Sequence, residues 1–371
     1  MIYLDHNATT PLDKRVLDAM LPYLGRFYGN ASGLYRLGRI SRDAINLARE
    51  QVARLAGADP SEVYFTSGGT ESNNLAIKGL AAKLPLGTMA FGATEHPSVR
   101  ESALSLKGRG WVVDELPVDG EGRICRPARL PDSLRFVSVM LANNETGVVA
   151  DTALLQQIAA DSGCLLHCDA VQMLGKLAFD FKRSPIDLLS VSAHKLYGPK
   201  GVGALIAKKS VSFEPLLHGG GQENGLRGGT ESVAAIVGFG KAAELAQEGL
   251  LGDFSRLNDL RVFLEKKLEA FPGVAVFARQ APRLPNTVLF SVARVEGDAL
   301  VMAMDKQGVA LSSGSACSSS SGEPSAVLTA MGVDPEMART AVRVSLGKEN
   351  TQAELEQFVD VLQQVITDFR K

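Results

Sequence analysis

The chain has 371 residues, 45% hydrophobic and 22% charged, and its 39 basic and 41 acidic side chains leave a formal net charge of −2. That length exceeds what a single core serves and predicts one large and one smaller domain, while the interspersed, nearly balanced charge gives no electrostatic case for nucleic acid or a membrane surface. With no basic-then-apolar leader and no run of about 18 apolar residues, the chain reads as soluble and cytoplasmic; its four cysteines, none in a Cys-x-x-Cys pair, make no disulfide framework.

Residues 1–14 read as a short polar lead-in with no obvious chemistry, an extended stretch and a cap for a helix that begins near Asp13. An amphipathic helix is predicted from Gly38 to Gly57, where Ala44, Ile45, Ala48, Val52 and Leu55 recur at three- and four-residue spacing. Val63-Tyr64-Phe65 is a strand that runs into Ser67-Gly68-Gly69-Thr70 and then a helix. Such a turn is either mere punctuation or an anion site, built from freed N–H groups, the helix dipole and the Thr70 hydroxyl.

A strand from Thr88 to Ala93 ends just before His96, a residue that either caps the next helix or lies on a cofactor ring and moves protons. Trp111–Pro117 and Arg123–Cys125 read as a peripheral excursion. Phe136–Leu141 and Leu165–Cys168 are apolar strands whose ends carry Asn143-Asn144-Glu145 and Asp169-Ala170-Val171-Gln172; a helix over Ala153–Ala160 lies between them. A carboxylate at a strand end, as at Asp169, is what the nitrogen of a pyridoxal ring needs as partner if the ring is to act as an electron sink. Cys164 and Cys168 read as small buried side chains. The alternation from Glu62 to Leu205 indicates βαβ units: an α/β domain with a mostly parallel sheet covered by helices on both faces.

Lys195 follows the apolar run Ile186–Val191 and precedes a glycine-punctuated turn and the strand predicted at Gly201–Ala207. At such a junction a lysine is either a solvated loop residue or, in the crevice beyond the strand ends, an amine that bonds a carbonyl compound such as pyridoxal phosphate. His218–Ser232 is a glycine-rich second anion-site candidate, which a symmetric dimer would carry to its partner's crevice. Helices are predicted over Val233–Leu250 and Asp253–Phe271. Residues 13–258 read as the large domain, and 1–12 with 259–371 as a smaller α+β domain with strands near Asn286–Ser291 and Val342–Ser345 and a final helix over Thr351–Arg370. Within the latter, the Ser/Gly composition of Ser312–Gly322 predicts a mobile segment, and Cys317 at its centre reads as a reactive thiol rather than linker filling.

These motifs together closely resemble the cysteine desulfurases, pyridoxal-phosphate enzymes of the class V aminotransferase family with fold type I. The resemblance runs from Tyr3-Leu4-Asp5-His6-Asn7-Ala8-Thr9-Thr10 through Ser67–Asn74, Ser192-Ala193-His194-Lys195 and Arg227-Gly228-Gly229-Thr230 to Ser312–Cys317. It implies that Lys195 carries the cofactor as a Schiff base and that His96 stacks on the ring and assists proton transfer. Asp169 pairs with the ring nitrogen, and Gln172 contacts the phenolic oxygen. Gly69, Thr70, Ser192 and His194 hold the phosphate, with Thr230 arriving from the second subunit of a homodimer. Asn144, also counted with the cofactor-binding residues, and Arg343 bind the carboxylate of L-cysteine.

The implied reaction yields alanine and a persulfide on Cys317 for a sulfur-acceptor protein, an iron–sulfur scaffold among the candidates. Ser312–Gly322 spans roughly 35 Å when extended, at about 3.3 Å per residue, and this length is similar to the long-catalytic-loop branch of the family. Cys317 argues against transamination. Selenocysteine cleavage or another class V reaction is the alternative on the same fold, and a non-catalytic sulfur-transfer scaffold is the alternative outside enzymes. The chain reaches Lys371 without the long tail that some relatives use to dock a scaffold, so the acceptor is left open.

Overall fold

The computed structural model describes residues 1–314 and 324–369. Their centre is a seven-stranded sheet in the order Val63–Thr66, Gly203–Ala207, Leu188–Ser192, Leu165–Asp169, Leu134–Ser138, Thr88–Gly92, Val112–Leu116. Only Gly203–Ala207 runs against its neighbours, pairing antiparallel with Val63–Thr66 on one side and Leu188–Ser192 on the other. The inner strands are buried except at Arg135 and Leu165, as expected of a parallel sheet covered on both faces, and Phe91, Phe136, Leu188 and Leu205 are at most 1% exposed. The parallel strands therefore end on one side, and the connecting loops carry their polar residues there.

Two differences from the sequence reading have clear causes. Val112–Leu116 belongs to the sheet rather than to an excursion; as the edge strand it exposes Val112, Asp114 and Glu115, which removes the apolar run by which a buried strand is recognised. Val233–Glu269 is one helix of 37 residues, not two. Its first half packs Ile236, Phe239, Ala242 and Ala243 into the core against the large sheet, and its second half packs Leu257, Leu264 and Leu268 into a second core. Burial at both ends carries the helix through Gly249 and Gly252, each of which costs about 1 kcal/mol relative to alanine.

The second core lies on a four-stranded antiparallel sheet, Ser312–Ser313, Ala341–Ser345, Thr287–Val292, Val274–Val276, closed by the C-terminal helix Gln352–Phe369 through Leu355, Phe358 and Leu362. Ile2 and Leu4 belong to this core, because Ile2–Tyr3 pairs in parallel with Val309–Ala310. From that anchor residues 5–10 run across to the large sheet: the Thr10 N–H and hydroxyl both donate to the His194 carbonyl, at 3.0 and 2.9 Å. No helix among the described residues is long and apolar enough to cross a membrane.

The glycine-rich segment His218–Ser232 is tied to the large sheet by a buried ion pair. Arg49 donates to both Glu223 carboxylate oxygens at 2.7 and 2.8 Å, and Glu223 also accepts the Phe65 N–H at 2.9 Å. Arg49→Leu leaves that carboxylate buried with a single donor and is expected to cost about 3–5 kcal/mol, read as a lower urea midpoint at an unchanged m-value.

Candidate active site

Four strand ends converge. The strand Val63–Thr66 enters a turn in which Gly68 sits at φ 152°, and the helix Gly69–Lys83 begins with no side-chain cap. Its first N–H groups thus lack the acceptor that a serine or aspartate would supply, which is the condition for holding an anion. The close approach needs glycine: a Cβ at Gly69 would lie 2.8 Å from Val171 Cγ2, and one at Gly203 would lie 2.6 Å from the Val191 carbonyl oxygen and 2.8 Å from the Gly68 backbone. Gly203→Ala therefore pushes the turn off the sheet; a loss of about 1–3 kcal/mol is expected, seen as a lower Tm.

Ser192, 3% exposed, ends the next parallel strand, and a single 3₁₀ turn over Ala193–Lys195 follows. This turn sets His194 and Lys195 beyond the sheet. His194 Nδ1 lies 3.2 Å from the Thr9 hydroxyl, and burial, then the nearby Lys195 charge, pulls this imidazole down to about 4. It is neutral at pH 7. The Lys195 ammonium donates to the carbonyls of Asn7 and, at 2.6 Å, of Ala8.

Asp169 ends the adjacent strand and is 6% exposed. Its Oδ1 accepts the Val171 N–H at 2.9 Å and its Oδ2 accepts Asn73 Nδ2 at 2.7 Å. Asn73 also donates to Ser98 Oγ at 2.9 Å, and Ser98 Oγ lies 2.8 Å from His96 Nδ1, so one chain of contacts joins Asp169 to His96. The Ser98 N–H donates to His96 Nδ1 at 3.1 Å, which makes Nδ1 an acceptor and places the ring proton on Nε2. Burial lowers the affinity of this imidazole for a second proton; the nearby Asp169 charge opposes that, and Lys195 reinforces it. His96 therefore both caps the helix Pro97–Leu104 and presents a neutral ring.

Arg343, 3% exposed on the strand Ala341–Ser345, reaches the same region from the second core. Its Nη1 donates to the Asn144 carbonyl at 3.0 Å and its Nη2 to Asp5 Oδ1 at 2.6 Å, while Nε has no partner among the described residues. Asp5 occupies the guanidinium as another carboxylate would.

Gln172 is 5% exposed and donates through Nε2 to the Asn7 carbonyl at 2.8 Å. Asn7 itself, 1% exposed, donates to the Asn144 carbonyl at 3.1 Å and to the Thr287 hydroxyl at 2.9 Å. The structure thus brings Gly69, Asn144, Asp169, Gln172, Ser192, His194, Lys195, His96 and Arg343 to one end of the sheet. Thr70 stands exposed in the first turn of its helix. Thr230 is exposed as well, and lines a separate 130 Å³ cavity with Ser67, Gly201 and Arg227. Cys317 lies outside the described residues.

Sequence reasoning missed Asp5, Asn7 and Asn73. All three stood within motifs that carry the resemblance, but without a role. Their contacts are with residues distant in sequence, Asn73 with Asp169, Asn7 with Asn144 and Thr287, and Asp5 with Arg343.

A parallel sheet with an uncapped glycine helix, a buried strand-end carboxylate and a lysine one turn past a strand end is the ground plan of a pyridoxal-type fold, and the chain belongs to the class-V aminotransferase family, whose family model matches residues 2–358. Within the family its likeness is to desulfurases. A cysteine desulfurase IscS of Dictyoglomus turgidum is 44% identical over 376 aligned residues that cover 100% of this chain and 95% of the relative. The solved structure of a NifS-like protein superposes with a TM-score of 0.93 at 35% identity over 99% of both chains. The structure described as SspA in complex with cysteine superposes with a TM-score of 0.80 at 33% identity, over 93% of this chain and 99% of the other.

Proposed function

We infer that the protein is a cysteine desulfurase that holds pyridoxal 5′-phosphate on Lys195 and converts L-cysteine to L-alanine, passing the sulfur to Cys317. The observation that carries the cofactor reading is the juxtaposition of the uncapped Gly69 helix start, the Asp169 carboxylate and the Lys195 amine at neighbouring ends of one sheet. These residues fit the group. Phosphate suits the N–H groups at Gly69 and Thr70 with Ser192 and His194, the carboxylate of Asp169 suits a ring nitrogen, and Gln172 has an amide hydrogen for a ring oxygen.

When bound, the cofactor supplies an electron sink for the substrate's α-carbon. The protein does the rest. Arg343 and Asn144 receive the cysteine carboxylate, with Asp5 giving way on the guanidinium, and so fix which bond faces Lys195. Lys195 Nζ takes and returns the α-proton, and His96 exchanges a proton at Nε2, the one ring nitrogen not engaged by Ser98. The Cys317 thiolate attacks the substrate sulfur. A sulfur–sulfur bond forms, the Cβ–S bond breaks with its electron pair returning to carbon, and Cβ takes up a proton, so that one cysteine and one Cys317 thiol become alanine and a persulfide.

The same reading includes a homodimer, in which Thr230 completes the partner's phosphate site. Support comes from the large apolar side chains that stand exposed from Leu17 to Tyr35, among them Leu21, Leu24, Tyr28 and Leu34 at 52–83% exposure. It also includes placement in the cytoplasm and onward transfer of the persulfide sulfur to an acceptor protein such as an iron–sulfur scaffold. Incubation of the pyridoxal-phosphate-loaded protein with L-cysteine and a thiol reductant tests the reaction: equal amounts of alanine and sulfide are expected, and pyruvate or a transamination product in place of alanine contradicts it.

A further inference from the structure

Lys176 is the second amine beside Lys195, and the reaction just described gives it no task. It lies four residues after Gln172, past the turn that follows Asp169. Its ammonium donates to Gln172 Oε1 at 2.9 Å and to Asn7 Oδ1 at 3.1 Å. Asn286 Nδ2 donates to the same Asn7 oxygen at 3.1 Å. The arrangement is directional. An ammonium has only hydrogens to offer, so it fixes Oε1 as the Gln172 atom that faces it, and the Gln172 Nε2 must point the other way. One Nε2 hydrogen goes to the Asn7 carbonyl, which also accepts from Lys195; the second is left for a ligand in the site.

We propose that Lys176 is a positioning residue: it locks the Gln172 amide and the Asn7 carbonyl in the orientation that sets the proton affinity of the Lys195 nitrogen. The inference rests on the reading of Lys195 as the cofactor-bearing amine. If Gln172 were free to rotate, its oxygen would face the ring oxygen in half of its orientations and repel it, and the Asn7 carbonyl would lose the contact that seats it. A donor aimed at a ring phenolate stabilises the negative oxygen and thereby weakens the hold on a proton shared with the Lys195 nitrogen. Loss of that donor raises the proton affinity.

The charged and titratable groups that act on Lys176 are Lys195 and Arg343, with His6 from the N-terminal segment; Asp13, Asp253 and Lys348 line the same cavity. Burial, followed by the Lys195 and Arg343 charges, brings Lys176 itself down to about 7. Below that pH the ammonium offers only hydrogens to Gln172; above it the neutral amine also carries a lone pair, and the Nε2 hydrogen bond to the Asn7 carbonyl is what keeps Gln172 in the same orientation.

The test is the pH titration of the visible absorption band of the cofactor-loaded protein. In Lys176→Met the midpoint is expected to move up by about one pH unit, the effect of a lost hydrogen-bonded donor and a nearby charge at an effective dielectric constant of about 20. Lys176→Gln, neutral but able to donate an amide hydrogen to Gln172, restores the donor and not the charge, and is expected to shift the midpoint less than Lys176→Met does. In a Gln172→Leu background, Lys176→Met is expected to add less than half of its own shift. An unmoved midpoint in folded Lys176→Met, or a full shift retained without Gln172, overturns the proposal. Should Lys176→Met fail to accumulate as folded protein, Gln172→Leu alone decides: the same upward shift supports the proposal and an unmoved midpoint contradicts it. A wild-type protein without any visible band would instead contradict the cofactor reading on which the proposal stands.

Discussion

Lys195→Ala is expected to remove both the yellow absorption and the turnover of L-cysteine, with alanine production falling by about 10³-fold or more, because in the proposed mechanism one side chain both holds the cofactor and moves the α-proton. Lys176 does not substitute, although it is an amine in the same region, because its ammonium is engaged by Gln172 Oε1 and Asn7 Oδ1. The colourless variant should remain folded. Lys195 lies on a short turn whose own contacts, such as Leu196 N–H to the Ala193 carbonyl at 2.9 Å, are backbone ones that alanine preserves. Absorbance from 300 to 500 nm after dialysis against pyridoxal phosphate reads the first effect, and alanine release reads the second. A yellow, active Lys195→Ala protein would dismiss the assignment.

Cys317→Ser is expected to separate binding from sulfur transfer. The hydroxyl has no thiolate's affinity for sulfur, so alanine and sulfide production from L-cysteine should fall by about 10³-fold or more while the visible band is unchanged. The contrast with Lys195→Ala is informative. One variant loses colour and activity together; the other loses activity alone and should still show a spectral change on mixing with L-cysteine, since Arg343, Asn144 and Asp169 are all intact.

Much of the site was legible because parallel sheets advertise themselves: buried strands are apolar throughout, and their polar punctuation falls on one side. Asp169, Ser192 and His96 could be placed at strand ends for that reason, and the glycine turn at Gly68 marked the uncapped helix. The role of residues 5–10 was not legible. The segment was recognised as a motif by resemblance, but neither periodicity nor composition gives Asp5 and Asn7 a task; their positions follow from the pairing of Ile2 with Val309 and from the bond between Arg343 and Asp5, 338 residues apart. The edge strand Val112–Leu116 escaped because exposed Asp114 and Glu115 break its hydrophobic run, and the continuity of Val233–Glu269 escaped because burial in two cores outweighs two glycines.

The chemistry divides in the same way. In the proposed mechanism Lys195 and its neighbours supply a cofactor site that many class-V enzymes would share, whereas the desulfurase reaction turns on Cys317. The most direct test is mass spectrometry of the peptide that contains Cys317, taken from cofactor-loaded protein after brief exposure to L-cysteine without reductant. One additional sulfur atom on Cys317, together with one alanine released per modified site, is the predicted result. Alanine release with Cys317 unmodified, or the added sulfur on Cys125 instead, would contradict it.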